Sequence, residues 1–341
     1  MDLKNLKNNE YISSYNFARI ADNVYAESLT LNQYESIKNN NTKIISKSEN
    51  QILYINTNFL IKENDVIFCN TYMIESLFKV LRDVKILTNI KLITSQTDHL
   101  ITEELFRSKP LCISEWYSVN VGFVHKKLIP IPLGLANEYS DKNLQIDDFA
   151  NQKIRVDKKN IIYSNFQINT NYQHRKKVLK NLKDNNSTII AEPNLKNNEY
   201  MKNLLSHNFI VCPWGNGVDS HRIWETLYSN SIPIIFKHPT FNTLYELPKI
   251  EISDLKQLRN PLLTSQFVNE ELNFDKLNIL WWEILIRNNK VKNSDTFQFK
   301  NISEFENIKL NHKRILKKEH NKKISKTLFR KIDNKINKLI K

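Results

Sequence analysis

The chain is short of glycine, of cysteine and of long apolar runs. Three cysteines, Cys69, Cys112 and Cys212, lie far apart and form no C-x-x-C pair. That excludes a disulfide framework and a cysteine zinc site; each thiol sits in an apolar stretch, as buried thiols of a reducing compartment do. No run reaches the roughly 18 apolar residues of a spanning helix. The opening "MDLKNLKNNEYISSYNF" has no apolar segment of the kind a secretion signal needs. The expected location is cytoplasmic, at most peripheral on the inner face of a membrane. There are fifteen aspartates, but no two are separated by a single residue, and the adjacent pair Asp147-Asp148 falls in a polar stretch. The phosphate-loop pattern G-x-x-x-x-G-K-[ST] is also missing.

What is present alternates. Short Ile- and Val-rich runs read as strands: "TKIIS", "ILYI" (52–55), "DVIFC" (65–69), "KLITS" (91–95), "KLIPIPL" (127–133), "NIIYSNF" (160–166), "STIIAE" (187–192), "NFIVCP" (208–213) and "SIPIIF" (231–236). Helix-length patterns lie between them at 73–84, 172–183 and 220–230, and a further helical region surrounds 274–288. Strands apolar throughout and separated by helices predict parallel sheets covered on both faces. The pattern runs twice, with the polar stretch 137–160 between. The expected fold class is α/β: two doubly wound, Rossmann-like domains over 1–150 and 151–290 facing a cleft, with a basic helical tail over 291–341.

The net charge is +14, but residues 311–341 hold twelve Lys or Arg against two acids, leaving only +4 for the rest. A nearly balanced body argues against nucleic acid as a partner. In the tail, Ile324, Leu328, Ile332, Ile336 and Ile340 recur at i+4 among lysines. Such a helix either lies on an anionic membrane surface or packs its stripe on the protein.

Of only four glycines, two, Gly215 and Gly217, stand in "NFIVCPWGNGVDSHRIWETLYSNSIPIIF" (208–236). The segment reads as a buried strand, a turn, a helix and the next strand. Asp219 or Ser220 suits the helix N-cap. Ile223, Trp224, Leu227 and Tyr228 share one face, and Arg222, Glu225 and Ser229 the other. A helix N-terminus after a strand is an anion site at the carboxyl edge of a doubly wound sheet. Arg222 could add a forked donor to a phosphate and Glu225 could accept from a sugar hydroxyl; alternatively the two form a solvent-facing pair. "GNGVDS" lacks the third glycine of G-x-G-x-x-G, and no acid ends the following strand, which argues against a dinucleotide dehydrogenase.

This segment resembles the donor site of two-Rossmann-domain (GT-B) glycosyltransferases, nearest to the exostosin-like families. A weaker similarity covers "NIIYSNFQINTNYQHRKKV" (160–178). Ser229-Asn230 departs from the Ala/Leu-Gly usual before "IP", and exostosin-like enzymes often belong to the secretory pathway. The resemblance implies transfer of a sugar from a nucleoside diphosphate donor to a glycan or lipid-linked glycan, with 1–150 on the acceptor side and 151–290 holding the donor. Arg222 would face the diphosphate, Glu225 the ribose or sugar hydroxyls, and Arg175 would be a second phosphate cation. Gly215, Asn216, Gly217, Asp219 and Ser220 would line the phosphates. No cofactor is expected beyond the nucleotide-sugar co-substrate, and the missing D-x-D points to a metal-free site.

An inverting transferase needs a general base. Asp98 and His99, in the loop after "KLITS", are the candidates from the first half, although Asp98 could equally cap the helix "LITEELF". Gly122 and Gly134 fall in turns of "WYSVNVGFVHKKLIPIPLGL" (116–135), so all four glycines are expected beside the cleft. Two other readings stay open: an epimerase-like nucleotide-sugar enzyme, and a non-catalytic sugar- or nucleic-acid-binding module that uses the basic tail.

Overall fold

Each of the nine apolar runs forms a strand. The computed structural model describes residues 3–152, 156–264 and 273–339. In chain order the strands are β1 (Asn23–Leu29), β2 (Thr42–Lys47), β3 (Ile52–Asn56), β4 (Asn58–Lys62), β5 (Val66–Asn70), β6 (Ile90–Ser95), β7 (Ile113–Ser118), β8 (Leu128–Pro130), β9 (Lys159–Ser164), β10 (Thr188–Ile190), β11 (His207–Val211), β12 (Ile232–Phe236), β13 (Ile250–Ile252) and β14 (Thr296–Lys300). The helices are α1 (Ser14–Arg19), α2 (Leu31–Ile37), α3 (Ile74–Leu81), α4 (Glu103–Arg107), α5 (Ile146–Ala150), α6 (Tyr172–Lys183), α7 (Asn197–Ser206), α8 (His221–Tyr228), α9 (Ile279–Ile286) and α10 (Phe305–Leu339).

The protein is mixed α/β with parallel-rich sheets. One sheet has the order β2-β3-β1-β5-β6-β7-β8 and a second has β10-β9-β11-β12-β13. The second is parallel throughout. The first is parallel from β1 to β8, but β3 runs antiparallel to β1 and β2 antiparallel to β3. The expectation of purely parallel sheets therefore fails at this edge. The cause is local: β2 and β3 are joined by a turn closed by Ser48 N–H to Gln51 O at 2.8 Å, too short for a crossover. Strands β1 and β7 escape the apolar pattern because they carry Glu27 and Glu115 inside otherwise buried runs.

An apolar core joins the elements of both sheets, drawing on Phe17, Val119 and Ile131 from the first half and Trp224, Tyr228 and Trp282 from the second. The Tyr228 hydroxyl accepts from Ile12 N–H at 2.7 Å and donates to Leu277 O at 2.6 Å. Trp282, fully buried, meets Phe17 edge-on at 6.4 Å; burying a side chain of this size contributes upwards of about 3 kcal/mol.

The last segment returns to the first half. β14 pairs with β4, a strand within what the sequence presents only as tail. Helix α10 then starts against β2: His312 Nε2 lies 3.2 Å from Ser46 Oγ, and Lys79 bonds Glu304 at 2.8 Å. Further along, Ile324 is 47% exposed. The side chains of Leu328, Ile332, Ile336 and Ile340 lie outside the described residues. Among the described residues no helix is long and apolar enough to cross a membrane.

Candidate active site

A cleft of about 620 Å³ is lined by connections of both sheets. Its second-half wall is the loop from β11 to α8, at the carboxyl edge of a parallel sheet, where such folds bind ligands. The loop is held from three sides. Arg175 of α6, 7% exposed, donates from Nε to Trp214 O (2.8 Å), from Nη1 to Gln167 O (2.8 Å) and from Nη2 to Pro213 O (3.3 Å). Asn171 Nδ2 reaches Gly215 O at 3.0 Å. From the first half, Asn120 Oδ1 accepts the N–H groups of Val218 and Asp219, each at 2.9 Å.

Asp219 completes this clasp. Its Oδ2 accepts Leu133 N–H at 2.8 Å and its Oδ1 accepts Trp224 Nε1–H at 2.9 Å. Burial pushes its pKa up to about 7. Oδ2 joins the halves and Oδ1 ties the loop to α8, so Asp219 lines the cleft as a structural pin.

Ser220 is the N-cap of α8, yet its side chain makes no capping bond and its buried Oγ has no partner. Ile223 N–H bonds Ser220 O at 3.0 Å, while the His221 and Arg222 N–H groups keep the partial positive charge of an uncapped terminus. Arg222 Nη1 donates to Tyr200 OH at 2.8 Å, and that hydroxyl donates to Glu225 Oε2 at 2.9 Å. Desolvation would lower the pKa of Arg222, but the Tyr200 phenol and the Glu225 carboxylate outweigh it and raise it. Glu225 is 3% exposed. These two residues are therefore linked through Tyr200 inside the cleft, and the solvent-facing pair is corrected. The face of α8 expected to be polar is covered because α7, carrying Tyr200, lies over it.

The other cation differs from its expected role. Arg175 spends a donor from each of its three nitrogens on backbone carbonyls. Burial first, then repulsion from Arg222, lowers its pKa to about 10. Two guanidiniums that repel each other beside an uncapped helix favour an anion between them.

On the first-half wall, Gln96 has φ +69° and is braced by Ser28: Oε1 accepts Ser28 N–H at 2.7 Å and Nε2 donates to Ser28 O at 3.1 Å. This turn presents Asp98 to the cleft. Asp98 does not cap a helix; α4 is capped by Thr102, which accepts Leu105 N–H. Desolvation raises the pKa of Asp98, while His221 and the Gly217 N–H pull it down. His99 points elsewhere. It does not line the cleft, and its ring meets Tyr72 edge-on at 6.5 Å near Lys322 and Glu319 of α10. Adjacent residues of an extended loop face opposite ways, so only one of the pair can enter the cleft.

The cleft gathers Asp98, Arg175, Gly215, Asn216, Gly217, Asp219, Ser220, Arg222 and Glu225. Of the glycines, Gly215 and Gly217 line it, and the Gly134 carbonyl contacts His221 beside it. Gly122 instead packs against Ile101 and Leu100. Sequence reasoning missed Tyr200, His221 and Lys142, all of which line the cleft. His221 donates Nδ1–H to Gly134 O at 2.8 Å. A carbonyl can only accept, so the neutral imidazole carries its lone pair on Nε2. Among the described residues no three His, Cys, Asp or Glu gather as metal ligands.

No known family model matches the chain, and no curated protein matches it.

Proposed function

We propose that the protein is a glycosyltransferase of the two-domain GT-B kind, moving a sugar from a nucleoside diphosphate to a glycan or lipid-linked glycan with inversion. The observation that carries this reading is the uncapped N-terminus of α8 with Arg222 and Glu225 bridged by Tyr200 on one cleft wall. The diphosphate lies on the free N–H groups and Arg222, and the remaining oxygen of Glu225 accepts a ribose or sugar hydroxyl. Arg175 fixes the loop's shape and adds positive potential from behind. These charges hold the diphosphate without a metal. The basic α10, held on Ser46 near its start and through Arg330 on Asn169 further along, offers its exposed Lys317, Lys318, Lys322 and Lys326 to an anionic membrane surface.

The test is a thermal-shift screen against UDP, GDP, CMP and ADP and their sugars, followed by assay of released nucleotide. A ligand at about a hundred times its Kd adds about 2.7 kcal/mol to apparent stability. Stabilisation by one nucleoside diphosphate and turnover of its sugar is the expected result. Stabilisation by RNA alone would replace this reading with a binding module. Interconversion of free nucleotide sugars would replace it with an epimerase.

A further inference from the structure

Four groups in the cleft are candidates to take a proton from an acceptor hydroxyl: Asp98, Asp219, His221 and Glu225. Geometry separates them. Asp219 has both oxygens committed to the first half and to Trp224. Glu225 is bonded to Tyr200 deep in the donor wall. Asp98 is packed against the Gly217 backbone, where an added Cβ would lie 3.1 Å from its Oδ1. His221 differs from all three: one ring nitrogen is fixed on the Gly134 carbonyl, and no hydrogen bond among the described residues engages the other.

Its position matters as much as its bonding. His221 is the first residue of α8, beside Arg222 and the uncapped N–H groups. Its ring is fixed by Gly134 and is electrostatically coupled to Asp98, and both of these belong to the first half. The imidazole therefore stands where the anion site meets the opposite wall. A base for an inverting transfer has to face the side of the anomeric carbon opposite the departing diphosphate, which is the side of the first-half wall on which the His221 ring is held.

We infer that His221, positioned by the Gly134 carbonyl, is the general base of the transfer, with Asp98 as a charge-balancing carboxylate of the same cleft. This rests on the glycosyltransferase reading. The acceptor O–H proton passes to His221 Nε2 as the acceptor oxygen forms its bond to the anomeric carbon. The bond from that carbon to the phosphate oxygen breaks, and its electron pair leaves on the nucleoside diphosphate, held by Arg222 and the α8 N–H groups. Asp98 stabilises the imidazolium, which then loses its proton to solvent. Imidazole suits the task because one nitrogen can be fixed as a donor while the other offers a lone pair. His99, the more obvious histidine beside Asp98, stands outside the cleft.

The experiment uses the full chain and starts with wild-type binding of UDP and GDP by calorimetry, together with hydrolysis and transfer from UDP-glucose, UDP-N-acetylglucosamine, GDP-mannose and GDP-fucose. His221→Asn places an amide N–H where Nδ1–H stands, so the Gly134 bond is kept while Nε2 is removed. The expected result is kcat lowered about 10²–10⁴-fold with nucleoside diphosphate affinity unchanged. His221→Ala, the second variant, should regain turnover when free imidazole is added. His99→Asn should leave kcat as it is. Normal turnover in His221→Asn overturns the assignment. So does a loss of UDP or GDP affinity as large as the loss of kcat, which would make His221 a phosphate contact. If His221→Asn does not fold, the absence of imidazole rescue in His221→Ala overturns it. Failure of the underlying reading is seen separately, since wild type would then bind no nucleoside diphosphate and release none.

Discussion

Gly217 offers a direct test of why so glycine-poor a chain keeps one in this loop. Its φ is not in the left-handed region, so the requirement is close contact. A Cβ there would lie 2.9 Å from Asn120 Nδ2, 3.0 Å from Asn120 Oδ1 and 3.1 Å from Asp98 Oδ1. The Asn120 amide has little freedom to retreat, because its oxygen holds two N–H groups of the loop at 2.9 Å. Gly217→Ala therefore either overpacks the contact, at about 1–3 kcal/mol, or unseats Asn120 and leaves buried N–H donors, at about 1–3 kcal/mol each. The expected cost is about 2–4 kcal/mol, with weaker nucleotide binding because the loop shifts. Gly215 is the internal control. Its Cβ would meet only Arg175 Nη2 at 3.3 Å and Gly217 O at 3.9 Å, so Gly215→Ala should cost less than about 1 kcal/mol. Urea unfolding of the two variants, with equal slopes, measures the difference. Equal midpoints would refute the argument that the halves meet through Gly217.

Three further outcomes follow from the same geometry. Arg222→Lys and Glu225→Ala should each fold and lose about 10²-fold or more in turnover, because a charge-assisted contact to a buried donor is worth about 2–3 kcal/mol and an ammonium cannot copy a fork; normal steady-state rates in both would return the pair to a structural role. Asp219 is held protonated to about pH 7 in the fold against an ordinary 3.8, so the folded state binds more protons than the unfolded one. Its contribution to stability is full below the ordinary carboxylate range and falls as pH rises towards 7, at up to about 1.4 kcal/mol per pH unit. Asp219→Asn should be less stable outright yet lack that slope in urea titrations at several pH values, and an unchanged slope would contradict the assignment. Truncation after Leu316 leaves the His312 contact intact and should fold, but lose binding to anionic vesicles; each Lys or Arg removed is worth about 1 kcal/mol at such a surface. Co-sedimentation equal to that of the full chain would exclude α10 as the membrane element.

The strands were legible wherever burial on both faces leaves an unbroken apolar run, and α8 was legible from its core face. The polar members of the candidate site were legible only when they shared that segment. Arg222 and Glu225 stand in it; Tyr200, which joins them, comes from α7 in "NEYMKNLL" and has no local sign of its role. Asn120 is one asparagine among very many, and its function as a clasp exists only because folding brings it against residues 218 and 219. The polar stretch after 137 reads as a linker because it lacks periodicity, yet Asn137, Tyr139 and Lys142 line the cleft. Loop residues are placed by the scaffold around them, and no periodic pattern reports that. His99 shows the reverse: its neighbour's position in a loop was readable, but the side to which each residue turns was not.

The pairing of β14 with β4 has a consequence for the birth of the chain. Residues near the start depend on partners made near the end: β4 on Thr296–Lys300, Asp22 on Arg287, Tyr25 on Asn301, and the buried Lys91 ammonium on the Asn288 carbonyl. A ribosome adding about 5–20 residues per second needs about 10–55 seconds to travel from the first set to the second. Throughout that interval the nascent β4 is unpaired, and Lys91 lacks the Asn288 carbonyl and keeps Glu115 at 4.0 Å. Its β4 therefore finds its partner only after Lys300 has been made.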